Sequence, residues 1–164
     1  MSTNNWYYID NTNEDTENLL NMFWEFHDFR IKEIDCSLKD NTVDVYLEYD
    51  SDGIFVLLRF QEVQRMHYAP VDDYDADWLF STLLYIDDNH SIVWITDDAV
   101  DKKAPLPNEL TWIRANKLSY AMVDAQKQIL DIPDNIRNQV WETYNCETHQ
   151  YDKSEHHFSP KNVL

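Results

Sequence analysis

Two neighbouring stretches constrain the fold of this chain more than any other feature. In "VDVYLEYD" (residues 43–50), Val43, Val45, Leu47 and Tyr49 alternate with Asp44, Tyr46 and Glu48. Period two is the repeat of a half-buried antiparallel strand, whereas a helix would scatter these apolar residues around its circumference. The next stretch, "IFVLLRF" (54–60), is nearly continuous in apolar residues. It must be buried on both faces, which predicts a central strand. Between them lies "DSDG", which holds the only glycine of the chain, Gly53. A tight hairpin turn needs a residue of positive φ, so Gly53 is expected to supply it. Upstream, Ile34, Cys36 and Leu38 alternate with Asp35 and Ser37, and "KDNT" (39–42) turns the chain. These elements predict a three-stranded meander.

The flanking segments extend the pattern. "NEDTENLLNMFWEFHD" (13–28) places Leu19, Leu20, Phe23 and Phe26 at helical spacing, with Asn13 as N-cap and Glu14, Asp15 and Glu17 at the positive end of the dipole. "LFSTLLYI" (79–86), the turn "DDNH" and "SIVWIT" (91–96) predict a second hairpin. On its second strand Ile92 and Trp94 share one face and Val93 and Ile95 the other, so at least part is core. "APVDDYDADW" and "DDAVDKKAPLPNE" are loops. Residues 109–126 fit either one helix or two strands broken near Ala115 and Asn116. Aromatic and β-branched content favours strands. "PDNIRNQVWETY" (133–144) predicts a final helix opened by Pro133, with Ile136, Val140 and Tyr144 on one face. The polar segment from about residue 146 reads as a mobile tail. The expectation is one α+β domain over residues 1–164. A curved antiparallel sheet of meander and hairpins carries an N-terminal and a C-terminal helix on or beside it.

A chain of this length buries roughly 70% of its unfolded surface, so it needs no metal or disulfide to build a core. Its apolar content of 43% sets it apart from disordered chains despite its charge. A single glycine excludes Gly-rich phosphate loops. Cys36 and Cys146 have no zinc-knuckle spacing, no secretory leader opens the sequence, and no run approaches the ~20 apolar residues of a membrane span. The expected location is the cytoplasm, with reduced thiols.

The net charge is −18, and it is concentrated. Residues 1–29 hold six acids (Asp10, Glu14, Asp15, Glu17, Glu25, Asp28) and no Lys or Arg. Residues 72–101 hold nine (Asp72, Asp73, Asp75, Asp77, Asp87, Asp88, Asp97, Asp98, Asp101), again without a base. Nucleic acid and anionic membranes are poor partners for such a surface, and a basic protein is a good one. Solubility alone is the competing explanation.

The motifs with chemical potential are few. His27-Asp28 could hold a metal or activate water, but a hydrolase of that type needs further ligands from other helices. The doublet also sits where a helix gives way to a strand, so a structural hinge with buried, hydrogen-bonded groups is the favoured reading. "DDYDADW" begins like a calcium loop, yet Trp78 and Leu84 stand where an EF-hand has Gly and Glu. Cys146, His149, His156 and His157 are spaced too loosely to define a metal site. No catalytic residue, metal ligand or cofactor is assigned. Tyr74, Trp78, Tyr85 and Trp94 lie within the second acidic block. Trp94 reads as core, while Tyr74 and Trp78 are candidate interface anchors.

"FHDFRIKEIDC", "VDVYLEY", "IFVLLRF" and "LTWIRANKLSYAMVD", within residues 26–124, resemble a group of small bacterial proteins. In that group a Phe-His-Asp element starts a strand meander. The group includes the family called immunity protein 50, assigned to polymorphic toxin systems. The resemblance implies a protein that binds and neutralises a toxin, with no catalytic residues to carry over.

The favoured reading is therefore a non-enzymatic acidic module that binds a basic protein, such as a toxin. Its candidate contact residues are Asp72, Asp73, Tyr74, Asp75, Asp77, Trp78, Asp87 and Asp88. The alternatives are a metal-dependent hydrolase using His27, Asp28 and nearby acids, and a sheet protein with a small-ligand pocket lined by aromatics.

Overall fold

A computed structural model describes residues 5–49, 53–70, 79, 81–132, 140–145, 147–155 and 161–162. In chain order the elements are β1 (Tyr7–Tyr8), α1 (Asn13–Met22), a turn of 3₁₀ type at Trp24–Phe26, β2 (Phe29–Ser37), β3 (Thr42–Tyr49) and β4 (Ile54–His67). They continue with β5 (Leu83–Ile86), β6 (Ile92–Ile95), β7 (Trp112–Asp124), β8 (Ile129–Leu130), β9 (Val140–Asn145), β10 (Gln150–Glu155) and β11 (Lys161–Asn162).

The expected meander is β2-β3-β4, and β4 lies inside the sheet between β3 and β7. All pairings are antiparallel. Gly53 has the positive φ that its turn requires, 76°. The alternation sorts residues as read. Val43, Val45, Leu47, Val56, Leu58 and Phe60 join the main core with Leu19, Leu20 and Phe23, while Tyr46 and Leu57 pack on the other face with Val123. Strand β6 divides in the same way. Ile92 and Trp94 enter the main core, and Val93 and Ile95 join Tyr85 and Trp112 in a second cluster.

Residues 112–124 form one continuous strand rather than a helix or two separate strands. The ladder with β4 is irregular opposite the expected break. Glu62 on β4 adopts φ 50°, and the pairing with β7 slips by one residue between Val63 and Arg65. Phe60 and Val63 then both reach the main core, as do Leu118 and Ala115. One edge of β7 serves three short strands: β6 at residues 112–115, β1 at 119–120 and β8 at 122–123. Asn11 closes the gap between the first two by donating from Nδ2 to the carbonyls of His90 (2.8 Å) and Asn116 (2.9 Å). Such side-chain bonds satisfy backbone groups that the interrupted ladder leaves open.

Three expectations need correction. First, α1 is shorter than read, and its cap is Thr12, whose hydroxyl accepts from the Asp15 amide at 3.2 Å. Asn13 instead accepts from the Ile86 amide and ties the helix to β5. Second, the C-terminal helix expected over 133–144 is contradicted. Val140–Asn145 is a strand paired with Gln150–Glu155, and residues 133–139 lie outside the described residues. Val140, Trp141, Thr143 and Tyr144 are β-formers, and a cross-strand partner outweighs a four-residue apolar spacing. Third, the segment read as an aperiodic tail contributes β10 and β11, and β11 pairs with β1. Among the described residues α1 is the one α-helix, and no helix is long and apolar enough to cross a membrane.

Candidate protein-binding surface

Of the candidate contact residues, Asp87 and Asp88 are described, whereas Asp72, Asp73, Tyr74, Asp75, Asp77 and Trp78 lie outside the described residues. Asp87 organises its own turn. Its Oδ1 accepts from the amides of Asn89 and Ser91, both at 2.9 Å, and its Oδ2 lies 3.2 Å from Arg114 Nε. With its side chain 14% exposed and its charge offset, Asp87 has little left to offer a partner. Asp88, one residue on, is exposed. In the same block, Asp97 and Asp101 accept from the amides of Ala99 and Lys103. These are local turns that leave a second carboxylate oxygen for solvent. Trp94 is fully buried beside Phe60, as expected of a core residue. Burial, then Asp87, raises the Tyr85 hydroxyl pKa, against an opposing effect of Arg114.

The His27-Asp28 doublet does sit between helix and strand, but it is not buried. Its side chains are 56% and 59% exposed, with Nδ1 and Oδ1 3.1 Å apart. Among the described residues no three His, Cys, Asp or Glu side chains gather as metal ligands. What holds this corner is backbone. The Asp28 amide donates to the Leu79 carbonyl and the Leu79 amide to the Phe29 carbonyl. Cys36 is exposed, with its sulfur 3.8 Å from that of Met66.

The distribution of bases is more informative than any motif. Among the described residues, five bases on or reaching the sheet are paired with acids: Lys32 with Glu48, Arg59 with Asp44, Arg114 with Asp87, Lys117 with Glu62 and Lys127 with Glu33. The tightest is bidentate, with Arg59 Nε and Nη2 donating to the two Asp44 oxygens at 2.9 and 2.8 Å. That hydrogen bonding raises the Arg59 pKa further above its usual value, and the guanidinium lies 4.2 Å over the Trp6 ring. Lys127, raised first by its bond to Glu33, sits 4.8 Å over Tyr46. Burial raises the Tyr46 hydroxyl pKa in turn. The sheet is thus largely neutralised from within.

Three acids of the helix and the turn after it are not. Glu14, Glu17 and Glu25 are exposed and form no ion pair among the described residues. Trp24, another residue of this turn, is exposed, although the sequence pattern places it on a helix. Nothing in the apolar spacing marks it as surface, because its exposure follows from a reversal of backbone hand. Residues 24, 25, 26 and 28 all have positive φ, between 51° and 64°.

No family model, no curated protein and no solved structure matches this chain.

Proposed function

We propose that this protein is a non-enzymatic binding module whose partner is a basic protein. The specific form we favour is neutralisation of a toxin, as in the immunity proteins that residues 26–124 resemble. One observation carries the reading. Among the described residues, five bases pair with acids on or next to the sheet, while Glu14, Glu17 and Glu25 on α1 and the following turn form no ion pair. Fields of one sign speed encounter with an oppositely charged partner and reject others. The other acids of the second block, Asp88 among them, add to the same field.

The test is affinity capture at low and at high salt, followed by kinetics with the purified partner. A basic partner is expected, with an association rate that falls steeply as ionic strength rises. For the toxin form, the captured protein should arrest growth when expressed alone and be tolerated with this chain. Capture of no basic protein, or binding indifferent to salt, refutes the reading.

A further inference from the structure

We propose that a row of cations on the second face of the sheet binds an acidic peptide segment, with one Asp or Glu carboxylate of that segment held between Arg65 and Arg114. The inference goes beyond the basic-partner reading and does not depend on it.

Register sets the row. Tyr85, Val93, Arg114 and Arg65 stand opposite one another across β5, β6, β7 and β4, so their side chains share a face. It is the face of the second cluster, away from the main core on which α1 packs. The slip after Val63 is what completes it. In unbroken register Gln64 would face Arg114, whereas Arg65 does. Gln64 instead donates to Ser91 and Asn116. Two residues along the strands, the His67 ring stacks on Trp112, and its Nδ1 lies 3.0 Å from the Leu110 carbonyl. Trp112 Nε1 donates to the Pro107 carbonyl, and Arg65 lies 5.9 Å over this held indole. Lys102 stands at the other end of the row, 5.7 Å over Tyr85.

The two arginines are poorly balanced within the chain. They lie directly opposite each other, and like charges in that position destabilise a sheet. Arg65 and Lys102 are exposed and form no ion pair among the described residues. Arg114 has Asp87 beside it. Yet Arg114 Nε and Asp87 Oδ2, 3.2 Å apart, are both buried and make no hydrogen bond. The guanidinium is thus held there by charge alone, and a buried donor without a partner is a standing cost that a new acceptor can relieve.

Charge selects the occupant. Two guanidiniums against Asp87 leave one net positive charge at the pair. A carboxylate carries one negative charge and has the two oxygens that an arginine fork engages. A phosphate group carries about −1.5 to −2 at pH 7, which overshoots that balance. It is also repelled harder by the rest of a chain whose net charge is −18. The exposed Lys102 continues the row, so a segment with several acids gains a second contact that a lone carboxylate does not.

The experiment titrates the full chain with a hexaglutamate peptide at low salt, read by calorimetry. Wild type is expected to bind. Arg65→Gln and Arg114→Gln should each weaken binding roughly three- to tenfold, as for loss of one charge-assisted contact at a partly exposed site. Arg65→Lys should lose less, because the charge remains without the fork. Lys39→Gln removes the same charge from an exposed turn elsewhere and should stay within about twofold of wild type. No binding by wild type, or a loss in Arg65→Gln no greater than in Lys39→Gln, overturns the proposal and leaves the basic-partner reading standing. Displacement of the peptide by inorganic phosphate, beyond that by sodium chloride at equal ionic strength, also overturns it and makes the occupant a phosphate group. Should Arg114→Gln fail to fold by circular dichroism, Arg65→Gln and Arg65→Lys decide.

Discussion

Arg59→Met should destabilise this protein more than Asp44→Asn, although the two residues form one ion pair. The asymmetry follows from their surroundings. The Asp44 side chain is 12% exposed and that of Arg59 is 36% exposed. Across the sheet Asp44 has Arg59 on one side and Asp35 on the other. Removing the guanidinium leaves a nearly buried carboxylate facing another acid. Breaking a buried pair in this way costs about 3–5 kcal/mol, and partial exposure of the arginine reduces that to about 2–3 kcal/mol. Loss of the contact with Trp6 adds about 0.5–1 kcal/mol. An asparagine in place of Asp44 is isosteric and keeps one acceptor, while Arg59 retains water and the Trp6 ring. That change should cost about 1 kcal/mol. The expected difference is thus about 2 kcal/mol. Urea unfolding with an unchanged m-value measures it. The double variant should cost clearly less than the sum of the two singles, because Asp44→Asn removes the charge that the loss of Arg59 would strand. Equal costs for the two singles, or simple additivity in the double, would refute the reasoning.

Three further outcomes are expected. Glu25→Gly should raise the urea midpoint. A non-glycine residue at φ 56° costs roughly 1–2 kcal/mol, glycine's extra chain entropy returns about half of that, and a lower midpoint would show the turn to be unstrained. His27→Ala should stay within about 0.5 kcal/mol of wild type, since its ring is exposed, in place of the 1–3 kcal/mol that a buried group would imply. A larger loss on thermal unfolding would mean that the doublet does hold the corner. Stability should also fall at alkaline pH. Burial raises the Tyr46 and Tyr85 pKa values in the folded state. Their contribution is therefore complete below the unfolded value of about 10 and is lost as pH climbs through the folded values. Replacing both by Phe should flatten the urea midpoint between about pH 9 and 11. An unchanged slope would count against the burial.

The sequence by itself determined the sheet. Alternation at 43–49 and the nearly continuous apolar run at 54–60 have one arrangement that buries both: an edge-to-centre meander turned at the sole glycine. The two-faced burial of Ile92, Val93, Trp94 and Ile95 was legible for the same reason. Side-chain direction in a strand is set by position alone, so periodicity reports it directly. The break expected around 115 and 116 is absent, since residues 112–124 are one continuous strand. Where the spacing was ambiguous, tertiary pairing decided. Val140 and Tyr144 lie four apart, as a helix requires, yet Val140–Asn145 is a strand because Gln150–Glu155 completes its ladder. The candidate surface depended on tertiary structure still more. Charge blocks can be counted along the chain, but which acids are neutralised depends on which bases the fold brings near. Asp44 and Asp87 meet arginines 15 and 27 residues away, while among the described residues Glu14, Glu17 and Glu25 meet none. Trp24 has the spacing of a helix residue. It reaches the surface because the chain must reverse hand to send Phe26 into the core and Phe29 into β2, a demand made by packing that no local pattern records.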